Sequence, residues 1–215
     1  MKHREPAPEL MDDPNVPDHV WEKFHRDLSR LERLLGCHRT VIRALREDTR
    51  PAESVLDIGC GNGMLLRKIR QDLGVPVTGI DLRTPRNPEP DIPIMATDAV
   101  REPLPPADVA VSVYVVHHLC ERSIVDLIRN VGRTSRRLIL LDLVRHWLPL
   151  VLFSTFLGPL FGRIVHADGC QSIRRAYTPG ELRRLVEEAI HGSGARVRHS
   201  VSPWYASQLV DITWS

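Results

Sequence analysis

Apolar residues recur at helical spacing near the start of the chain. Val20, Trp21, Phe24, Leu28, Leu31 and Leu35 place one apolar stripe on a helix that Asp18 is placed to cap. A second short helix is expected from about Cys37 to Glu47, starting near Thr40, with Val41, Ile42 and Leu45 inward. From Ser54 the pattern changes to short apolar runs alternating with helical ones. A buried strand at 54–58 leads through a turn into a helix bearing Met64, Leu65, Leu66 and Ile69, closed by Gly74. Strands follow at Val77–Asp81 and Ile94–Thr97. The run Asp108–Val115 is nearly all apolar, as where helices cover both faces of a parallel sheet. A helix from about Ser123 to Val131 and a strand at Arg137–Leu143 come next. Thr178-Pro179-Gly180-Glu181 has the form of a capping box with Pro in the first turn. Its helix carries Leu182, Leu185, Val186, Ala189 and Ile190 and stops at Gly192. Two last strands lie near Arg196–Val201 and Gln208–Thr213. This alternation predicts an α/β fold, a right-handed, doubly wound, mostly parallel sheet of seven strands, with the early helices over one edge.

Composition narrows the class. The chain has 215 residues, 42% hydrophobic and 26% charged, which suits one soluble globular domain. A net charge of +2 without a Lys/Arg block argues against a nucleic-acid binder. Cys37, Cys60, Cys120 and Cys170 are scattered, which fits reduced thiols and a cytoplasmic setting, and the polar, Pro-rich opening lacks a secretory pattern. Pro6, Pro8, Pro14 and Pro17 among charges suggest that residues 1–17 form a disordered or loosely docked arm. A helical cap is expected over 18–50 and the main domain over 51–215, with an insertion at 146–177.

Val55 to Gly63 reads V-L-D-I-G-C-G-N-G. Glycines at a strand-to-helix turn let a ligand lie against bare backbone. A dinucleotide fingerprint, G-x-G-x-x-G, needs its third glycine at 64, but that residue is Met64. The D-I-G-C-G-N-G run instead resembles the first motif of class I S-adenosylmethionine (SAM) dependent methyltransferases, and the likeness covers residues 50 to 145 best. It implies a Rossmann-like methyltransferase fold, SAM as cofactor, and contacts from Gly59, Gly61, Asp81, Asp98 and Ala99. The residues themselves add Asp57, Cys60 and Gly63 at the turn. Asp81 stands at a strand end where an acid can accept both ribose hydroxyls, with Leu82 beside the adenine. Ser112 and Val113 fall where the amino-acid tail of the cofactor would lie.

The segment V-Y-V-V-H-H-L, 113 to 119, should face the methyl group. His117 and His118 are the candidate catalytic bases, because imidazole titrates near neutral pH; helix capping and ordinary burial are the competing roles. Tyr114 could orient the cofactor tail or substrate. Metal-using methyltransferases of ubiquinone biosynthesis carry E-x-x-E-H after this strand. Tyr114-Val115-Val116-His117-His118 matches only the last His, so no metal is expected. Trp147 to Gly162 is the most apolar stretch. It is too short and too interrupted by Pro149, Gly158 and Pro159 to span a bilayer. It reads as a helical lid over a hydrophobic small-molecule acceptor, with peripheral membrane contact, core packing or a dimer surface as alternatives. His166, Arg174, Arg175 and Tyr177, expected on a loop beyond it, are the candidate substrate residues. The run from Asp168 to Leu182 also resembles bacterial methyltransferases tied to lipid or polyketide metabolism.

Together these features predict a SAM-dependent methyltransferase acting on a hydrophobic small molecule, with a phenolic or enolic oxygen favoured, as a monomer or homodimer. A catalytically silent SAM-binding or partner protein is the alternative. A nicotinamide oxidoreductase on the same fold is disfavoured by the glycine spacing.

Overall fold

The computed structural model describes residues 1, 3–13, 15–83 and 88–214, with the Asp18 side chain left aside. Pro14, one of the prolines of the expected arm, lies outside the described residues. Two helices open the fold, α1 (Asp18–Leu35) and α2 (Cys37–Arg46). Alternating elements follow: β1 (Val55–Ile58), α3 (Met64–Leu73), β2 (Val77–Asp81), β3 (Ile94–Ala96), β4 (Val109–Val113), α4 (Glu121–Val131) and β5 (Arg137–Leu143). The insertion contributes α5 (Trp147–Leu152) and α6 (Arg163–Arg175). Then come α7 (Pro179–Ile190), β6 (Arg196–Val201) and β7 (Ser207–Thr213).

Among the described residues the strands form one seven-stranded sheet, ordered β3-β2-β1-β4-β5-β7-β6. The first five in this order run parallel; β7 pairs antiparallel with β5 and with β6. The two-residue period of a strand divides the core. On β5, Leu138 and Leu140 pack with Ile124, Ile128, Leu182 and Leu185 of α4 and α7. Ile139 and Leu141 face the opposite layer, with Val41, Leu45, Leu66 and Ile69 of α2 and α3. Arg137 is buried in the same strand. It spans to Asp211 of β7 through two bonds, 2.8 and 2.9 Å, and donates to the Ala44 carbonyl at 2.9 Å. A charge there needs those partners, because an isolated buried ion is very costly.

Several local signals act as expected. Gly74 closes α3 in the left-handed region, φ 70°. Thr178 and Glu181 form the reciprocal capping box of α7. Other expectations need correction. Pro17 holds the N-cap position of α1, and Asp18 is already helical. Residues 166–175 are not a loop: once Gly162 turns the chain, they continue as α6. The helix α1 does not cover a sheet edge. Phe24 and Leu31 pack with Phe153, Val165 and Ile173 of the insertion, forming a third apolar cluster above the strand ends.

The described part of residues 1–17, expected as a disordered or loosely docked arm, lies across the molecule. Arg4 donates to the His117 and Leu119 carbonyls at 2.9 and 3.1 Å and stacks over the Tyr177 ring. Asp168 of α6 accepts the Leu10 and Met11 amides at 2.8 and 3.0 Å. Such pairing gives the charges of the arm partners that water alone would not fix in place. Among the described residues no helix is long and apolar enough to cross a membrane. The insertion turns Trp147, Val151, Phe156 and Leu160 outward, exposed.

Candidate active site

The strand order reverses between β1 and β4, and ligands of open α/β sheets bind outside the strand ends at that point. A cavity of about 510 Å³ opens there. One end is floored by the glycine turn after β1, with Asp81 and Leu82 after β2 and Thr97, Asp98 and Ala99 after β3. The other end is enclosed by Glu9 and Met11 of the arm, Phe24 and Leu31 of α1, and Phe153, Val165 and Ile173 of the insertion.

The glycines of the turn have different jobs. Gly59 has φ 73°, and a Cβ there would meet Val115 Cγ2 at 2.3 Å, so this glycine allows the turn to press on the end of β4. Gly61, φ 54°, has nothing within 4 Å of such a Cβ and faces open cavity. Gly63 departs from expectation. It does not line the cavity; its Cα faces Ile92 and Ile94, and it serves as the left-handed N-cap of α3. The turn is anchored to β2, since the Gly59 and Cys60 amides donate to the Ile80 carbonyl at 2.8 and 3.1 Å. Asp81 accepts the Gly61 amide at 3.0 Å on Oδ2 and the Arg83 amide at 3.2 Å on Oδ1. That grip orients the carboxylate into the cavity.

Asp57, Cys60, Leu82, Asp98, Ala99 and Val113 also line the cavity. Burial, with Asp81 and Glu32 adding, pushes the Asp57 carboxyl well above the usual carboxylate range. Asp98 accepts the Val100 amide at 2.9 Å. Ser112 is not brought to the cavity. It is buried, and its hydroxyl donates to the Ile58 carbonyl at 3.2 Å, tying β4 to β1. Tyr114 lines the cavity in a left-handed conformation, φ 57°, with its hydroxyl 2.9 Å from Cys37 Sγ. An aromatic residue in that region is strained, and such strain gathers at functional sites.

His117 and His118 sit on one turn of 3-10 helix after β4. Asp142 of β5 holds His117 twice, accepting its amide at 2.9 Å on Oδ2 and facing Nδ1 at 2.7 Å with Oδ1. A proton on Nδ1 would be shared with that carboxylate, with Nε2 facing Glu9. Glu9 Oε1 stands 3.7 Å from His117 Nε2 and 4.0 Å from His118 Nε2. Behind His118, Asp12 Oδ1 lies 3.5 Å from Nδ1. Burial pushes the Glu9 carboxyl up to about 7, although His118 pulls the other way. His118, by its hydrogen bond, leads the groups holding Asp12 far below its usual range.

Four expected substrate residues fall outside the cavity lining. His166 faces Phe153 and Gly158 inside the insertion. The Arg174 carbonyl accepts the Glu5 amide at 3.3 Å, and the Arg175 guanidinium pairs with Asp12 at 2.7 Å. Tyr177 is buried, its hydroxyl donating to the Leu119 carbonyl at 2.9 Å. Arg174, Arg175 and Tyr177 fasten the arm. The sequence reading missed Glu9, Asp12 and Asp142. For Asp142 a signal existed: a carboxylate inside the apolar run R-L-I-L-L-D-L must have a buried partner. For Glu9 the local pattern shows only the short turn it shares with Asp12, while the imidazoles it faces lie 108 and 109 residues away. The expectation that no metal binds meets a further fact: Glu9, His117 and His118 offer ligand atoms within 4.8 Å of one another.

Comparisons with known proteins give the family and the fold. A family profile described as "Methyltransferase domain" matches residues 28–189. No functionally curated protein matches the chain. Solved structures resemble it at low identity. The plantazolicin methyltransferase BpumL, with a monoazolic desmethylPZN analog and S-adenosylhomocysteine, is 13% identical at TM-score 0.72, over 95% of this chain and 92% of that one. Human N-acetylserotonin methyltransferase in complex with SAM is 16% identical at TM-score 0.62, over 90% of this chain and 56% of its own. The methyltransferase domain of bacterial CtHen1-C is 18% identical at TM-score 0.60, over 83% and 96%. With its profile match spanning most of its length and its sheet in the order described, the chain belongs to the methyltransferase-domain family, on the Rossmann-like fold of the class I SAM-dependent enzymes.

Proposed function

We propose that the protein transfers the methyl group of SAM to an oxygen of a hydrophobic small molecule, with a phenol or enol as the acceptor class. The observation that carries this reading is the single cavity that joins the glycine turn to an apolar chamber ending in two imidazoles. At the turn end, Asp81 accepts the ribose hydroxyls, Asp98 and Ala99 meet the adenine edge, and Leu82 covers its face. Gly61 leaves room for the nucleoside to lie on the backbone. Val113 and Tyr114 would flank the amino-acid tail, with His117 further along the same cavity.

Phe24, Leu31, Phe153, Val165 and Ile173 supply apolar walls for the acceptor. They exclude water from the reacting atoms and hold the acceptor close to the methyl carbon. In the step itself an oxygen lone pair forms the new O–C bond while the C–S bond breaks. Its electron pair would stay on sulfur, and the acceptor proton would leave past the Glu9–His117–His118 cluster to water. The Glu9–His117–His118 cluster is where that oxygen becomes nucleophilic. His117 is the central catalytic residue, positioned by Asp142. The arm and insertion roof the chamber, which favours a compact acceptor over a macromolecule.

Calorimetry with SAM, followed by mass spectrometry of products from a panel of hydrophobic phenols and enols, tests the reading. Tight SAM binding and a mass gain of one methyl on a phenolic oxygen are expected. Protein that binds no SAM would overturn it.

A further inference from the structure

The cluster at the arm has features that proton removal alone does not require. Both imidazoles present Nε2 to the same oxygen, Glu9 Oε1, at 3.7 and 4.0 Å. Each has a carboxylate behind its Nδ1, Asp142 at 2.7 Å and Asp12 at 3.5 Å. The Glu9 side chain is only 8% exposed, and Oε1 has no hydrogen-bond partner. A buried carboxylate oxygen without a donor is costly, and imidazoles backed by carboxylates are how proteins orient metal ligands.

We propose that Glu9, His117 and His118 bind one divalent cation of the zinc kind, with an open coordination position toward the acceptor chamber. Two histidines and one carboxylate make a typical three-ligand catalytic set. Ligand atoms around tetrahedral zinc stand about 3.4 Å apart, so distances of 3.7 and 4.0 Å close by small side-chain movements. The charge balance also suits a cation. Glu9, Asp12, Asp142 and Asp168 gather here against the guanidinium groups of Arg4 and Arg175. Arg175 Nη1 is 3.6 Å from Glu9 Oε1, yet at 2.7 Å it is committed to Asp12. All three ligands line the cavity, so the fourth position is reachable from the acceptor side.

The use of the cation rests on the proposed methyl transfer; its binding does not. An acceptor hydroxyl entering the open position would coordinate through oxygen and give up its proton to water more readily. The electron pair left on oxygen then attacks the methyl carbon.

The test is titration of the chelator-treated full chain with cobalt(II) alone, read by visible absorption, and with zinc(II) alone, read by calorimetry. One ion per chain is expected, with an intense low-coordinate cobalt spectrum. Glu9→Gln and the half-exposed His118→Ala should each weaken binding by about 100-fold or more, and Asp142→Asn by about 10- to 100-fold. Absence of one-to-one binding, or affinity unchanged in both ligand variants, would overturn the site. A preparation that binds cobalt(II) but not SAM sinks the proposed function and leaves this site standing. One that binds SAM but not metal does the reverse.

Discussion

The two ends of the cavity are built in opposite ways. The turn end comes from consecutive strand ends, with Gly61, Asp81 and Asp98 spread over 38 residues of chain and fixed by short backbone bonds. The acceptor end is assembled from the arm, α1, the end of β4, β5 and α6, brought together by packing. On the proposed reading, local sequence sets where the nucleoside lies, while tertiary assembly sets which acceptor is methylated. A fold built this way can keep one and change the other.

Removing residues 1–12 is the sharpest way to split the two ends. SAM affinity should stay within about twofold while turnover falls by about 100-fold or more, as for loss of a catalytic acid–base group. His117→Ala should lower turnover by about 10²- to 10⁴-fold with SAM binding unchanged. Calorimetry and a product assay on the same preparation read both. If SAM affinity collapses with the arm, the ends are not separable.

The sheet beneath should answer differently. Asp211→Asn leaves the buried Arg137 short of a partner and should cost about 3 kcal/mol of stability in urea unfolding. Burial alone would raise the Asp211 carboxyl, but bonds from Arg137 and Arg198 outweigh it and hold it below the ordinary range. A lowered folded pKa stabilises above the unfolded value and is lost as pH falls through the folded one. Stability of the natural chain should therefore drop with acid below about pH 4, and the variant should lose that part of the slope.

Smaller effects should stay at the turn end. Asp81→Ala should weaken SAM binding by about 10- to 100-fold, the worth of hydrogen bonds to a charged group. Leu82→Ala should cost only a few-fold, about 1 kcal/mol of apolar contact. Turnover at saturating SAM should be nearly unchanged in the Leu82 variant. If turnover there falls as far as binding, adenine packing is coupled to the chemistry.

The same contrast explains what could be read from sequence. Strand and helix periods fixed β2 and β5 at their observed ends, Val77–Asp81 and Arg137–Leu143. Thr178 and Glu181 announced α7. The glycine spacing chose between two cofactor chemistries, because backbone approach is a local property. Gly63 and Ser112 lie beside residues that line the cavity, but they themselves face Ile92 and Ile94 and the Ile58 carbonyl. Residues 166–175 misled through their polar composition, though Val165, Cys170 and Ile173 keep a helical stripe inward. Glu9 is marked locally only by its turn with Asp12, which says nothing of the imidazoles. Its meaning comes from Arg4, Asp168 and Arg175, which draw the arm over the strand ends, and no periodicity encodes that.

Val115 fills the space that a side chain at position 59 would take, and it stands two residues before His117. The glycine turn and the imidazole loop are thus keyed together like two parts of one jig, and on the proposed reading that steric stop sets the gap that the methyl group must cross.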